Sequence, residues 1–127
     1  MANIAEQIVD MLVKAGVKRI YAVTGDSLNK INDAVRKDGR IQWIHVRHEE
    51  TGAFAAGAEA QLTGRLACCA GSSGPGHVHL INGVYDAHRS GAPVLVIASA
   101  CPSTEFGTEY FQGQKLEACP HRCRWQL

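Results

Sequence analysis

His48, Glu49 and Glu50 stand side by side where an apolar run ends and a small-residue run begins. An imidazole next to two carboxylates is a proton-handling set, suited to general acid or base work near neutral pH. Position alone accounts for Glu50, since a carboxylate in a helix's first turn complements the macrodipole, worth ~0.3–1 kcal/mol. Glu49 stands between two opposing influences. Burial against strand ends would raise its pKa, while the helix dipole would lower it. A carboxylate poised in that way can exchange protons at neutrality.

A second candidate is Gly71-Ser72-Ser73-Gly74-Pro75-Gly76. Strand, glycine-rich turn and helix start form an arrangement that cradles phosphate on backbone N–H groups. The spacing matches neither G-x-G-x-x-G nor the P-loop, and no lysine follows. Pro75 between two glycines fixes a rigid kink, which favours a ligand-contacting loop over a plain turn. His77 and His79 are two residues apart and do not share a helix face for a common metal. His88 and Arg89 suit the last turn of a helix, where cations meet the dipole. Cys119 and Cys123 flank Pro120-His121-Arg122, but not at the usual two-residue ligand spacing and with no second pair, so no metal is assigned.

These residues need elements to hold them. Asn3 and Glu6 form a capping-box pattern at the start of a helix. Ile4, Ile8, Met11, Leu12 and Ala15 give it an apolar face, and Gly16 ends it. Arg19 to Val23 reads as a strand. Asp26 or Ser27 then caps a second helix bearing Leu28, Ile31, Ala34 and Val35, which stops near Gly39. Ile41 to Val46 reads as a strand covered on both sides. A third helix is expected from about Glu50 to Thr63, with Gly64 as its stop. Gly52, Ala56 and Ala60 make a row of small residues on it, beside Ala53 and Gly57, open to close approach by a neighbouring helix or a second subunit. Leu66 to Ala70 is a third strand, Val78 to Ser90 a fourth helix closed by Gly91, and Pro93 to Ala98 a fourth strand. Strands alternating with helices across short loops predict an α/β fold: a parallel sheet of about four strands with helices on both faces.

The 127 residues suffice for one domain with a real core. Net charge is +1 from 13 basic and 12 acidic residues, so there is no basic field for nucleic acid. No apolar run reaches the ~20 residues that span a bilayer. Met1 to Ile4 has no secretion-signal pattern, and the five cysteines read as free thiols; both lead to a cytoplasmic expectation.

Four stretches together, 16–27, 47–60, 71–83 and 93–98, resemble the N-terminal pyrimidine-binding domain of thiamine diphosphate enzymes. Within that superfamily the likeness is to the pyruvate oxidase and pyruvate:quinone dehydrogenase group, with acetolactate synthase more distant. The resemblance runs collinearly to Gln112, giving a domain over 1–112 and an unmatched tail over 113–127.

The resemblance implies roles for particular residues. Glu49 would hydrogen-bond N1′ of the cofactor's aminopyrimidine and favour the tautomer that removes the thiazolium C2 proton, ahead of attack on pyruvate or another 2-keto acid. Val23, Gly25 and Asp26 would line the same pocket. Gly74, Pro75, Gly76 and His79 would pack on the pyrimidine, and Phe111-Gln112 would reach the active centre. On this reading the glycine loop meets the pyrimidine and not a phosphate, and the third helix faces a partner subunit.

Relatives carry Mg²⁺ and the diphosphate on a C-terminal domain and, in the oxidases, FAD on a central one. Neither motif lies in this sequence, so the expectation is a pyrimidine-end-only site in a truncated chain, inactive alone. Such a chain would work as a homo-oligomer or with a complementary diphosphate-domain chain, and full-length relatives would be peripheral at the membrane. The alternatives are a non-catalytic interaction or regulatory module, and one half of a split enzyme.

Overall fold

The computed structural model describes residues 2–105 and 107–112. Helix α1 spans Ile4–Lys14 and opens with the expected capping box. The Asn3 carboxamide oxygen accepts from the Glu6 N–H at 2.9 Å, and the Glu6 carboxylate accepts from the Asn3 N–H at 3.0 Å. Its apolar face differs from the expected one. Ala5, Val9 and Leu12 are buried, whereas Ile4 is 76% and Met11 59% exposed. Period alone does not say where the stripe is centred. Here it is set one position over, by packing on α2 (Asn29–Asp38), which brings Ala34 and Val35 into the same cluster.

Four parallel strands follow: β1 Arg19–Ala22, β2 Gln42–His45, β3 Ala67–Gly71 and β4 Val94–Ala98. Their order in the sheet is β2-β1-β3-β4. Tyr21 stands opposite both Ile44 and Cys69, and Cys69 opposite Val96, so one register runs across the sheet. Strand side chains alternate between faces. Cys68 and Ala70 therefore join a core with α1 and α2, while Ala67 and Cys69 join a second core with α3 (Glu49–Thr63). Helices cover both faces of the sheet, and all five residues of β3 are buried. Strand β2 departs from expectation. It is an edge strand with one neighbour, and Gln42 and His45, which point to opposite faces, are both exposed, so it is not covered on both sides along its length.

The fourth helix also differs. Pro75 occupies its first turn, three residues earlier than expected, and the helix divides at Leu80 into α4 (Pro75–His79) and α5 (Ile81–Ser90). The second helix is entered through a 3-10 turn, Asp26–Leu28, with no side-chain cap, so neither Asp26 nor Ser27 plays the capping part. Gly39, Gly64 and Gly91 do end their helices in the left-handed region, with φ of 73°, 65° and 66°.

The small-residue row on α3 is used inside the chain. Gly52, Ala53, Ala56, Gly57 and Ala60 are all buried. A Cβ on Gly52 would lie 3.2 Å from the Tyr21 carbonyl of β1, and one on Gly57 would lie 3.6 Å from Ala87 of α5. The chain's own sheet and α5 thus make the close approach, as the neighbouring-helix alternative expected. What α3 turns outward is a different line, Phe54, Ala58 and Leu62, with Leu62 88% exposed. No helix among the described residues is long and apolar enough to cross a membrane. The expected tail, 113–127, with Cys119, His121 and Cys123, lies outside the described residues.

Candidate functional site

Strand β1 pairs with β2 on one side and β3 on the other, so the connections leaving β1 and β3 diverge at their carboxyl ends. That divergence opens a crevice, the usual ligand position in open parallel sheets. A cavity of about 290 Å³ lies there, lined by Thr24, Gly25, Asp26, Glu49, Ser72, Ser73, Pro75, Gly76, His79, Phe111 and Gln112. The volume is at the low end of the ~300–1,000 Å³ typical of small-molecule sites, which suits one substituted ring. A larger groove of about 740 Å³ lies at the amino ends of β1 and β2, between Lys18, Arg36, Arg40 and Trp43. Its Arg36 and Arg40 are already paired, with Asp33 and with Asp10 and Asp38, and no convergent acid–base group faces it.

Glu49 is the first residue of α3 and only 9% exposed. Its Oε2 lies 3.1 Å from His79 Nδ1. Among the described residues no donor reaches Oε1, although that oxygen would lie 3.3 Å from a Cβ on Gly76. Gly76 therefore lets its backbone approach an acceptor that has no hydrogen-bond partner among the described residues. His48 caps α3, its Nδ1 accepting from the Glu50 N–H at 3.3 Å, and its ring stacks on His79 with centroids 4.5 Å apart. Glu50 accepts from the Asn82 side chain at 2.8 Å, tying α3 to α5 and leaving it a structural part.

His48, Glu49 and His79 bring ligand-type atoms within 4.8 Å of one another. The two rings lie nearly parallel, 26° apart, so their in-plane lone pairs run side by side instead of converging on one ion. Both Nδ1 atoms are also already engaged, which makes this a hydrogen-bonded acid–base cluster.

Of the residues expected at the site, the fold brings together Gly25, Asp26, Glu49, Pro75, Gly76, His79, Phe111 and Gln112. Val23 and Gly74 do not line the cavity. Gly74 instead shapes the loop, with φ at 70° and its α-carbon so close to Gln112 that a Cβ would sit 2.6 Å from that residue's carbonyl oxygen. His77, buried, turns away and bonds the Ser99 carbonyl through Nδ1 at 3.1 Å.

Sequence reasoning took in Ser72 and Ser73 only as part of a ligand-contacting loop, with no role of their own, and missed Thr24 as a lining residue and Ser27 behind them. The Ser27 hydroxyl lies 2.8 Å from the Ser72 hydroxyl and 2.7 Å from that of Ser99, and accepts from the Ser73 N–H at 2.9 Å. Hydroxyls beside the glycine loop were the available signal. Their partners are 45 to 72 positions away along the chain, where no local pattern reaches.

Comparison with known proteins agrees with this geometry. The chain is 59% identical, over 97% of its length, to an uncharacterized 42.6 kDa protein from the isoamylase 3′ region of Pseudomonas amyloderamosa. It is 45% identical over 88% of its length to the protein YdaP of Bacillus subtilis. It is 43% identical over 83% of its length to the pyruvate oxidase of Lactiplantibacillus plantarum. It spans 33% of the first of these and 20% and 18% of the others. The family described as thiamine pyrophosphate enzyme, N-terminal TPP binding domain, matches residues 2–118. With a four-stranded parallel sheet, helices on both faces and a buried glutamate at the crevice, the chain belongs to that family of thiamine diphosphate (pyrophosphate) enzyme domains.

Proposed function

We propose that this chain holds the aminopyrimidine end of thiamine diphosphate in an enzyme of the pyruvate oxidase type that decarboxylates a 2-keto acid. The observation that carries the reading is the Glu49 carboxylate: buried, fixed through Oε2 by His79, and left with Oε1 beside Gly76 without a hydrogen-bond partner among the described residues. When bound, thiamine diphosphate supplies the carbon nucleophile and electron sink that decarboxylation requires. Glu49 Oε1 would hold or share a proton at N1′, and the burial of Glu49 itself strengthens that hydrogen bond. His79 keeps the carboxylate from rotating. Gly25 and Gly76 let the Ser72 side chain pack between them at the cavity wall, Pro75 stiffens that loop, and Phe111 and Gln112 line another side.

Residues 1–112 carry this work, and the described part offers no cluster for Mg²⁺ or diphosphate. Those groups, and FAD where electrons leave by that route, fall to other parts of a whole enzyme or to a complementary diphosphate-domain chain, in a homo-oligomer or a mixed assembly. On this reading turnover needs those parts as well as residues 1–112. Its unpaired thiols Cys68, Cys69 and Cys101 fit a reducing compartment such as the cytoplasm.

The test is an NMR titration of the 127-residue chain with the hydroxymethyl aminopyrimidine that forms one half of thiamine. Shifts at Glu49, Gly76 and His79 in the wild type, absent in Glu49→Gln, are expected. Unchanged spectra at millimolar ligand overturn the binding reading. Turnover of pyruvate by the chain with thiamine diphosphate, Mg²⁺ and FAD added overturns the claim that those other parts are needed. A second reading, a non-catalytic module that docks on another chain, has the outward line Phe54, Ala58 and Leu62 in its favour. Only monomer across micromolar concentrations, with no co-purifying full-length relative, counts against it.

A further inference from the structure

Three serines from three different loops meet at one point beside the cavity: Ser27 after β1, Ser72 after β3 and Ser99 after β4. Each hydroxyl has one proton and two lone pairs. The Ser99 hydroxyl lies 3.0 Å from the Gly71 carbonyl, an acceptor only, so Ser99 gives its proton there. The 2.7 Å contact between Ser99 and Ser27 then needs the Ser27 proton. The 2.8 Å contact between Ser27 and Ser72 in turn needs the Ser72 proton. Ser27 is left accepting twice, from the Ser72 hydroxyl and from the Ser73 N–H at 2.9 Å, and donating once. One proton order satisfies every bond, and Ser27 is the node through which it passes.

The node controls the loop that carries the cavity wall. The Ser72 side chain fills the space between Gly25 and Gly76. Its Oγ blocks any Cβ on Gly25, and its Cβ would lie 3.2 Å from a Cβ on Gly76. The Ser72 carbonyl accepts from the His77 N–H at 2.8 Å, which closes the turn containing Gly76. Moving Ser72 therefore moves Gly76, and Gly76 borders Glu49 Oε1.

We infer that Ser27 is the positioning residue of this site: through Ser72 and Ser73 it holds Gly76 at the separation from Glu49 at which a flat ring can reach Oε1. The part of this inference that concerns a bound ring rests on the aminopyrimidine reading above. The part that concerns the loop does not.

The experiment uses the isosteric pair Ser27→Thr and Ser27→Val, with Ser27→Ala as a smaller replacement in case the added methyl of either disturbs packing. In the ligand-free chain, hydrogen exchange at the Ser73 and His77 amides is expected to quicken about tenfold in the Val and Ala variants. The Thr variant is expected to retain wild-type protection, and amides of β1 and α5 to be unchanged in all three. Equal exchange at Ser73 and His77 in the wild type, Val and Ala variants overturns the inference, as does acceleration spread evenly over the whole fold. In the aminopyrimidine titration, Val and Ala are expected to bind about tenfold more weakly than Thr. Equal affinity across all three overturns the inference. If the wild type itself binds no pyrimidine, the proposed function is what fails, and the exchange result still decides the role of Ser27.

Discussion

Gly83 of α5 sits against Ala53 of α3 so closely that a Cβ on the glycine would lie 2.5 Å from the alanine Cβ and 2.7 Å from the Phe54 nitrogen. The obstacle is backbone as well as side chain, so the helices have to separate if the glycine gains a methyl group. Gly83→Ala gains up to ~1 kcal/mol of helix propensity and loses ~1–3 kcal/mol to overpacking. Net destabilisation is expected, read as a lower urea midpoint at unchanged slope. Gly57→Ala is the matched control. Its Cβ would make ordinary contact with Ala87 at 3.6 Å, so propensity should dominate and the midpoint should rise.

Gly25 and Ser72 compete for one space. A Cβ on Gly25 would sit 2.5 Å from the Ser72 Cβ and closer still to its hydroxyl oxygen. Gly25→Ala is expected to cost ~1–3 kcal/mol. Ser72→Gly should restore much of that in the double variant, whereas Ser72→Ala should not, because its Cβ remains. A coupling energy near zero in the double-mutant cycle would contradict this arrangement.

Cys68 and Cys69 are fully buried in β3, and desolvation is the first cause that pushes the Cys69 thiol up from 9.0 to about 12 and the Cys68 thiol up as well. Both should resist alkylation in the folded chain at pH 8 and react on unfolding, as mass spectrometry of peptides would show. The sign of the pH effect follows. A folded pKa above the unfolded one gives stability that is complete below pH 9 and is lost as pH rises toward 12. Cys69→Ala should flatten that alkaline decline. An unchanged slope would mean that these thiols ionise without unfolding.

On the acid side, Asp10 is held below the ordinary carboxylate value of 3.8, first by Lys14 and then by Arg40. Asp38 is held down by Arg40, which reaches Asp38 at 2.7 Å and Asp10 at 3.2 Å and so joins α1 to the end of α2. Depressed folded values contribute stability above pH 3.8 that is lost as pH falls through them. The three groups lie at the surface in contact with solvent, so the effect is small and screened by salt. Arg40→Gln should narrow the difference between acid melts at low and high ionic strength. A difference as large as in the wild type would show that the pair is idle.

Much of the fold was legible because its signals are local. The Asn3–Glu6 box, the glycine stops and the alternation of helices with strands each depend on residues within a few positions of one another. What the sequence left open concerns which neighbour arrives from a distance. Met11 suits a helix face as well as Val9 does, and only the position of α2 decides which is covered. Ile41 to Val46 is apolar enough for an interior, yet the sheet order leaves β2 one neighbour. The row on α3 announced close packing but not its partners within the chain, which are the sheet at Gly52 and α5 at Gly57. At the site, residue types singled out Glu49 and the glycine loop. The hydroxyl node at Ser27 escaped notice because a serine after a strand also looks like a helix cap, and its true partners come from two later loops.

The outward line on α3 also bears on how the chain behaves in bulk. Phe54, Ala58 and Leu62 stay exposed in a chain whose isoelectric point is about 7.7. At that pH net charge vanishes, and no long-range repulsion opposes contact between apolar stripes on separate molecules. Colloidal stability should therefore be lowest near pH 7.7 and improve as pH moves away from it and net charge returns. Leu62→Lys adds charge on the stripe itself, and light scattering should show the turbid range shrink. In practical terms, a buffer near pH 7.7 is the one in which this chain is hardest to keep dispersed.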